Sequence, residues 1–282
     1  MASWTQKLHL RRNDPDTSRL WVPKSVQLHR RPHWRPVTRG FESATAQLAA
    51  AGASGGPLPL SRFGGRPLVG YGGLHPEWRR PSCGHCGQLM ALFLQLDERE
   101  LPEAAPRSFG DGVLQLFYCV SEEPLCEAEA EAFVAFGDAT LVRVVPPDAV
   151  ARLQVGPQPV ESVGPNLPSR LITGWVSGED FPSHAELKRL GLKRSDAVMR
   201  ALDRLFPASV DKLGGWPYWK DHVCYPHCPE CDREMDLVFQ IESAKNLAHT
   251  FGPAPCAYVF GCSGGEGHEH PPRLGFGWAY GA

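Results

Sequence analysis

A pattern of paired glycines, aromatics and cysteines occurs twice in this chain, and it restricts the fold more than any other feature. The first copy reads Phe63-Gly64-Gly65-Arg66-Pro67, Trp78, Cys83-Gly84-His85-Cys86-Gly87, Phe93-Leu94-Gln95, Phe109-Gly110 and Phe117-Tyr118-Cys119. The second reads Leu213-Gly214-Gly215-Trp216-Pro217, Trp219, Cys228-Pro229-Glu230-Cys231-Asp232, Phe239-Gln240, Phe251-Gly252 and Tyr258-Val259-Phe260-Gly261-Cys262. The offset is 145 residues at the first cysteine and 143 at the last. Spacing that constant marks an internal duplication, so two similar halves are expected.

The chain supplies 29 glycines and 27 prolines among 282 residues, which argues for short strands and many turns over a helix bundle. Strand-like apolar runs cover Leu89 to Leu96, Val113 to Val120, Thr140 to Val145 and Leu171 to Val176. Two helical stretches stand out. Ser183 with Glu186 has the form of a capping box opening a helix to Leu190. Ser195 to Leu205 places Val198, Met199, Leu202 and Leu205 on one face. The expected class is α+β and β-rich: antiparallel strands in two pseudo-repeated halves, Cys-x-x-Cys knuckles and a few short helices. The expected division is a basic arm and linker over 1–59, a first repeat over 60–154, a connector over 155–211 and a second repeat over 212–282.

A Cys-x-x-Cys turn lets two thiolates reach one ion while backbone N–H groups hydrogen-bond the sulfurs. The residue after the second cysteine needs positive φ, where Gly87 and Asp232 stand. Zinc takes four ligands, so each knuckle needs a second pair. Cys119 and Cys126 complete a four-cysteine set with Cys83 and Cys86, although the gap from Cys86 exceeds the ~15–20 residues of a zinc ribbon. Cys228, Cys231 and Cys262 lack only a fourth ligand, for which His268 and His270 compete, with Cys224 in reserve. Cys256 reads as a buried thiol. An odd count of nine cysteines fits a disulfide framework poorly.

Other chemistries compete with zinc for these residues. Cys83-Gly84-His85-Cys86 has the dithiol sequence of disulfide isomerases, yet the following residues read as a buried strand without a helix cap. The crowd of His222, Cys224, His227 and Cys228 admits a metal-dependent enzyme at the second cluster. Neither Gly-Gly turn is followed by the Gly-Lys-Ser/Thr of a phosphate loop, and no His-Glu-x-x-His is present.

Charge is polarised along a chain whose net charge is only -2. Lys7 to Arg39 holds nine basic residues against two acids, while Asp97 to Asp138 holds eleven acids against Arg99 and Arg107. A solvated face is the plain reading of the acidic stretch. The sharper one makes Glu122, Glu123, Glu127 and Glu129 a landing surface for a basic protein partner. Nucleic acid is expected at most through the basic arm. No segment approaches ~20 uninterrupted apolar residues and the first residues are polar, so a cytoplasmic protein without a membrane anchor is expected.

Taken in order, Gly64-Gly65-Arg66-Pro67, Cys83 to Gly87, Phe93-Leu94-Gln95, Phe117-Tyr118-Cys119 and Cys126 resemble the programmed cell death protein 2 family and the related YwqG-like bacterial proteins. The resemblance covers about 60–147 and 171–282. It implies a β-rich fold with two similar halves and zinc on the four cysteines of the first copy. From its eukaryotic branch it implies a chaperone for a basic ribosomal protein. The functional expectation is a zinc-stabilised, non-catalytic protein-binding module, a chaperone or adaptor for a basic client. The metal-dependent enzyme, and a bacterial immunity protein binding a toxin, stand as alternatives.

Overall fold

The computed structural model describes residues 22–40, 60–70, 75–155, 165–219, 222–262, 264 and 270–278. Its ten strands are β1 (Arg31–Thr38), β2 (Arg62–Phe63), β3 (Ala91–Asp97), β4 (Val113–Tyr118), β5 (Thr140–Val145), β6 (Arg170–Asp180), β7 (Lys212–Gly214), β8 (Asp236–Glu242), β9 (Cys256–Cys262) and β10 (Arg273–Gly277). Among the described residues four short helices accompany them: α1 (Lys24–Gln27), α2 (Cys126–Glu129), α3 (Pro147–Val155) and α4 (Asp196–Leu205). All strand pairs are antiparallel and form one sheet in the order β10-β9-β8-β7-β1-β6-β2-β3-β4-β5. The end strands β5 and β10 come together, so the sheet curls into a nearly closed barrel.

The order has a two-fold logic. Outward from the central β1–β6 pair, β2-β3-β4-β5 of the first copy lie on one side and β7-β8-β9-β10 of the second on the other. β1 leads the first copy in sequence yet lies beside β7 of the second. β6 leads the second copy yet lies beside β2 of the first. The two leading strands are exchanged.

β3 and β4 are buried at every position, which is why both sequences are nearly unbroken apolar runs. Inside the barrel the copies meet ring to ring: Phe63 against Phe239 at 5.9 Å, Phe93 against Phe251 at 6.1 Å and Tyr118 against Phe276 at 5.8 Å. One continuous core therefore serves both halves.

The repeated Gly-Gly and Gln residues form a common device. Gly64 and Gly65 have φ of 59° and 76°, and Gly214 and Gly215 have 68° and 78°. A Cβ on Gly64 would lie 2.5 Å from the Pro168 carbonyl oxygen, so the turn admits no side chain there. The amide of Gln95 donates to the Leu60 carbonyl and accepts from the Leu68 N–H, spanning the first turn. Gln240 does the same across the second, donating to Val210 and accepting from Tyr218. Both glutamines are buried and satisfied.

Two features depart from the sequence expectation. β1 was not anticipated because Pro32 and Pro36 speak against a central strand. Within β1 only His33 and Trp34 pair with β7, so neither proline is asked to donate to that ladder. Ser183 does not cap a helix: its side chain makes no cap bond, and only a single 3-10 turn follows at His184–Glu186. Glu186 is buried and points inward instead. The second expected helix forms as α4, with the Ser195 hydroxyl accepting from the Val198 N–H. Val198 and Leu202 pack on Val26 and Leu187, with Met199 beside them.

Candidate metal centres

Each Cys-x-x-Cys motif folds into the same tight turn. The Cys83 N–H donates to Gln88 and the Gly87 N–H returns to Cys83; the Cys228 N–H donates to Arg233 and the Asp232 N–H returns to Cys228. Gly87 and Asp232 take φ of 73° and 56°, as a glycine or a short polar side chain allows. Bridges Ser82–Leu89 and His227–Glu234 close the two turns.

The first knuckle meets Cys119, just past the end of β4, and Cys126, the first residue of α2. The four sulfurs lie within 4.8 Å of one another. Cys86 Sγ is 3.6 Å from Cys119 Sγ, and Cys83 Sγ is 3.9 Å from Cys126 Sγ. Ligands ~2.3 Å from a tetrahedral zinc stand about 3.8 Å apart, and a disulfide would need ~2.05 Å. The spacing is that of a metal cage, and all nine cysteines are thiols.

The second knuckle meets Cys262, the last residue of β9, and His270. Cys231 and Cys262 sulfurs are 3.6 Å apart, and His270 Nε2 lies 3.4, 3.5 and 3.7 Å from Cys231, Cys228 and Cys262. His270 Nδ1 lies 2.8 Å from the Pro271 carbonyl, which can only accept, so the proton sits on Nδ1. Nε2 then turns its lone pair toward the sulfurs, the tautomer a metal ligand requires. Of the three candidates for the fourth position, His270 stands in the group, Cys224 stands outside it, and His268 lies outside the described residues. Cys256 is buried in β9.

The thiols are electrostatically unlike. Backbone N–H groups lower two of them: the Gln88 N–H brings Cys86 down to about 7, and the Arg233 N–H lowers Cys231. Burial raises the others, Cys119 and Cys262 each to about 11, and Cys126 upward as well. Four sulfur-rich positions in one pocket cannot all ionise without a cation among them. Either group could hold a metal ion.

Side chains from elsewhere brace both sites. Glu127, next to Cys126, accepts from Tyr118 Oη at 3.0 Å, and Tyr118 Oη accepts from Trp278 Nε1 at 3.2 Å. Glu186 accepts from Trp219 Nε1 at 2.8 Å and from Tyr225 Oη at 2.7 Å, tying the connector to the loop before Cys228. Arg189 stacks over Tyr225 at 4.4 Å and binds Glu234 on the knuckle. Sequence reasoning missed Glu186 in this role because its spacing from Ser183 imitates a cap.

A family model described as a domain of unknown function, DUF1963, matches residues 61–260. The chain belongs to the DUF1963 family. No curated protein matches it. The DUF1963 match takes in Cys83, Cys86, Cys119, Cys126, Cys228 and Cys231, while Cys262 and His270 lie beyond its end.

The acidic stretch is partly spent on its own chain. Asp97 is buried under Arg99, Glu98 pairs with Arg107, and Glu100 accepts from the Leu60 and Ser61 N–H groups. Glu127 is held by Tyr118, whereas Glu122, Glu123 and Glu129 are exposed. Among the described residues no helix is long and apolar enough to cross a membrane.

Proposed function

We propose that this chain is a zinc-stapled, non-catalytic protein-binding module that escorts a basic client, as its resemblance to the programmed cell death protein 2 and YwqG-like families implies. The carrying observation is the donor geometry: two groups of four soft donors at tetrahedral spacing. Four protein ligands leave zinc no open position for substrate, which favours a structural ion over a catalytic one. The client surface is Glu122, Glu123 and Glu129, exposed beside the first centre.

Native mass spectrometry of the gently purified chain, with a matched denaturing spectrum, tests this directly. The expected excess mass is two zinc ions, together with a co-purifying basic protein. A metal-free chain carrying a Cys83–Cys86 disulfide would overturn the reading. Charge reversal at Glu122, Glu123 and Glu129 weakens client capture at low salt. Glu127 is left intact in that variant because of its bond to Tyr118. An unchanged partner list would remove the acidic surface from the account.

A further inference from the structure

The two copies differ sharply between the fourth ligand of each centre and the end strand of the sheet. In the second copy two residues, Pro271 and Pro272, separate His270 from β10. In the first, thirteen residues, 127–139, separate Cys126 from β5. The short connection shows that joining such a centre to an end strand needs no insertion, so the longer one answers another demand.

Its composition is one-sided. From Glu122 to Asp138 there are six acids and no Lys or Arg. Glu122, Glu123, Glu129, Glu131 and Asp138 are exposed, and among the described residues none forms an ion pair with Lys or Arg. His85 Nε2 lies 3.5 Å from Glu129. The same stretch carries three large apolar side chains in water: Leu125, Val134 and Phe136, with exposures of 50%, 39% and 45%. An acidic segment that serves only to keep a surface solvated has no use for bulky apolar groups, which are unfavourable in water.

The segment is also fixed in place on its own protein. The Ala132 N–H donates to Glu127 and the Val134 N–H to Glu131, while the Asp138 carbonyl accepts from Gly84 in the first knuckle. The Phe133 carbonyl accepts from the Trp278 N–H, and the two rings meet at 5.9 Å. Glu131 and Phe136 are held at φ of 45° and 68°, a region that residues other than glycine rarely enter. A surface ordered in advance loses little conformational freedom when a partner binds it.

We propose that residues 122–138 dock a cationic, amphipathic protein segment whose bulky apolar side chains pack on Leu125, Val134 and Phe136 while its Lys and Arg residues face the surrounding acids. This rests on the client reading above and adds to it the apolar half of the recognition. Charge steers the partner in but is screened by salt; apolar contact persists when the charges are screened.

Fluorescence anisotropy with two labelled synthetic peptides of about 14 residues provides the test. Both carry the same number of lysines. One has leucines spaced to line a single helix face, and the other has serines at those positions. On the zinc-loaded full chain the leucine peptide is expected to bind at least ~10-fold tighter, with the gap widening as NaCl is raised. That comparison needs no variant. Leu125→Ser combined with Val134→Ser, both on the surface, brings the leucine peptide down to the level of the serine peptide. Val37→Ser combined with Val176→Ser, which removes exposed apolar groups from the β1–β6 pair, leaves it unchanged. Equal binding of the two peptides, or equal losses from the two double variants, would overturn the proposal. If charge reversal at Glu122, Glu123 and Glu129 then still abolished binding, the acidic client surface would stand without its apolar half. Binding of neither peptide would remove both.

Discussion

Asp211 stands in the first copy's Ser61 position and shows how one residue ties stability to pH. Ser61 Oγ accepts from the Asp97 N–H, and Asp211 Oδ1 accepts from the Glu242 N–H. Burial, aided by the neighbouring Glu242 charge, lifts the Asp211 carboxyl to about 7, against the opposing pull of Asn246 and Lys245. A folded pKa above the unfolded ~3.9 means the fold favours the protonated acid. Its contribution is complete below about pH 4 and is lost as pH rises toward 7. Stability of Asp211→Asn relative to wild type should therefore climb between pH 4 and 7 and level off above; urea melts at each pH check it. Glycine substitution is as localised. Gly64→Ala forces a Cβ to 2.5 Å from a carbonyl oxygen and should cost several times more than Gly87→Ala, whose Cβ meets nothing within 4 Å. Thermal melts of the pair separate steric exclusion from the shared positive φ.

The elements differ in how openly the sequence announces them. β3 and β4 are written as apolar runs because burial on both faces leaves no polar alternation to confuse them. The knuckle turns are legible through Gly87 and Asp232, whose residue types answer a backbone demand. β1 is hidden by two prolines, which are admissible only because β7 is three residues long. Glu186 is hidden more deeply, since its partners Trp219 and Tyr225 are far along the chain and no local pattern names them. The repeat sets His270 beside His268 as the fourth ligand; His270 stands with the three sulfurs, and His268 lies outside the described residues. Glu186→Ala should strand the Trp219 and Tyr225 donors in a buried site, at about 1–3 kcal/mol. Release of metal loaded at the second centre, followed with a chromogenic chelator, should accelerate while the first centre is unaffected. Equal release from both centres would mean that Glu186 supports the whole barrel and not its own knuckle.

At the scale of the molecule, the two copies are one cooperative body. Phe63, Phe93 and Tyr118 bury themselves against Phe239, Phe251 and Phe276, so neither copy holds a complete core. A fragment of 60–154 should be insoluble or unfolded even with zinc, because it lacks both β6 beside β2 and half of the interior. A sharp, zinc-dependent melt of that fragment would show independent halves. Removing metal from the full chain with a strong chelator should produce a single loss of structure rather than two separate steps.

The crossing of β1 and β6 has the form of a handshake: each copy extends its leading strand into the sheet of the other. Closed two-fold dimers use self-complementary contacts of this kind, and exchange of an identical element between protomers is an easy way to build them. The chain is thus arranged as a swapped homodimer whose two subunits have been joined end to end. A half-length relative bearing one knuckle would have to assemble in pairs, with its symmetry axis between the two leading strands.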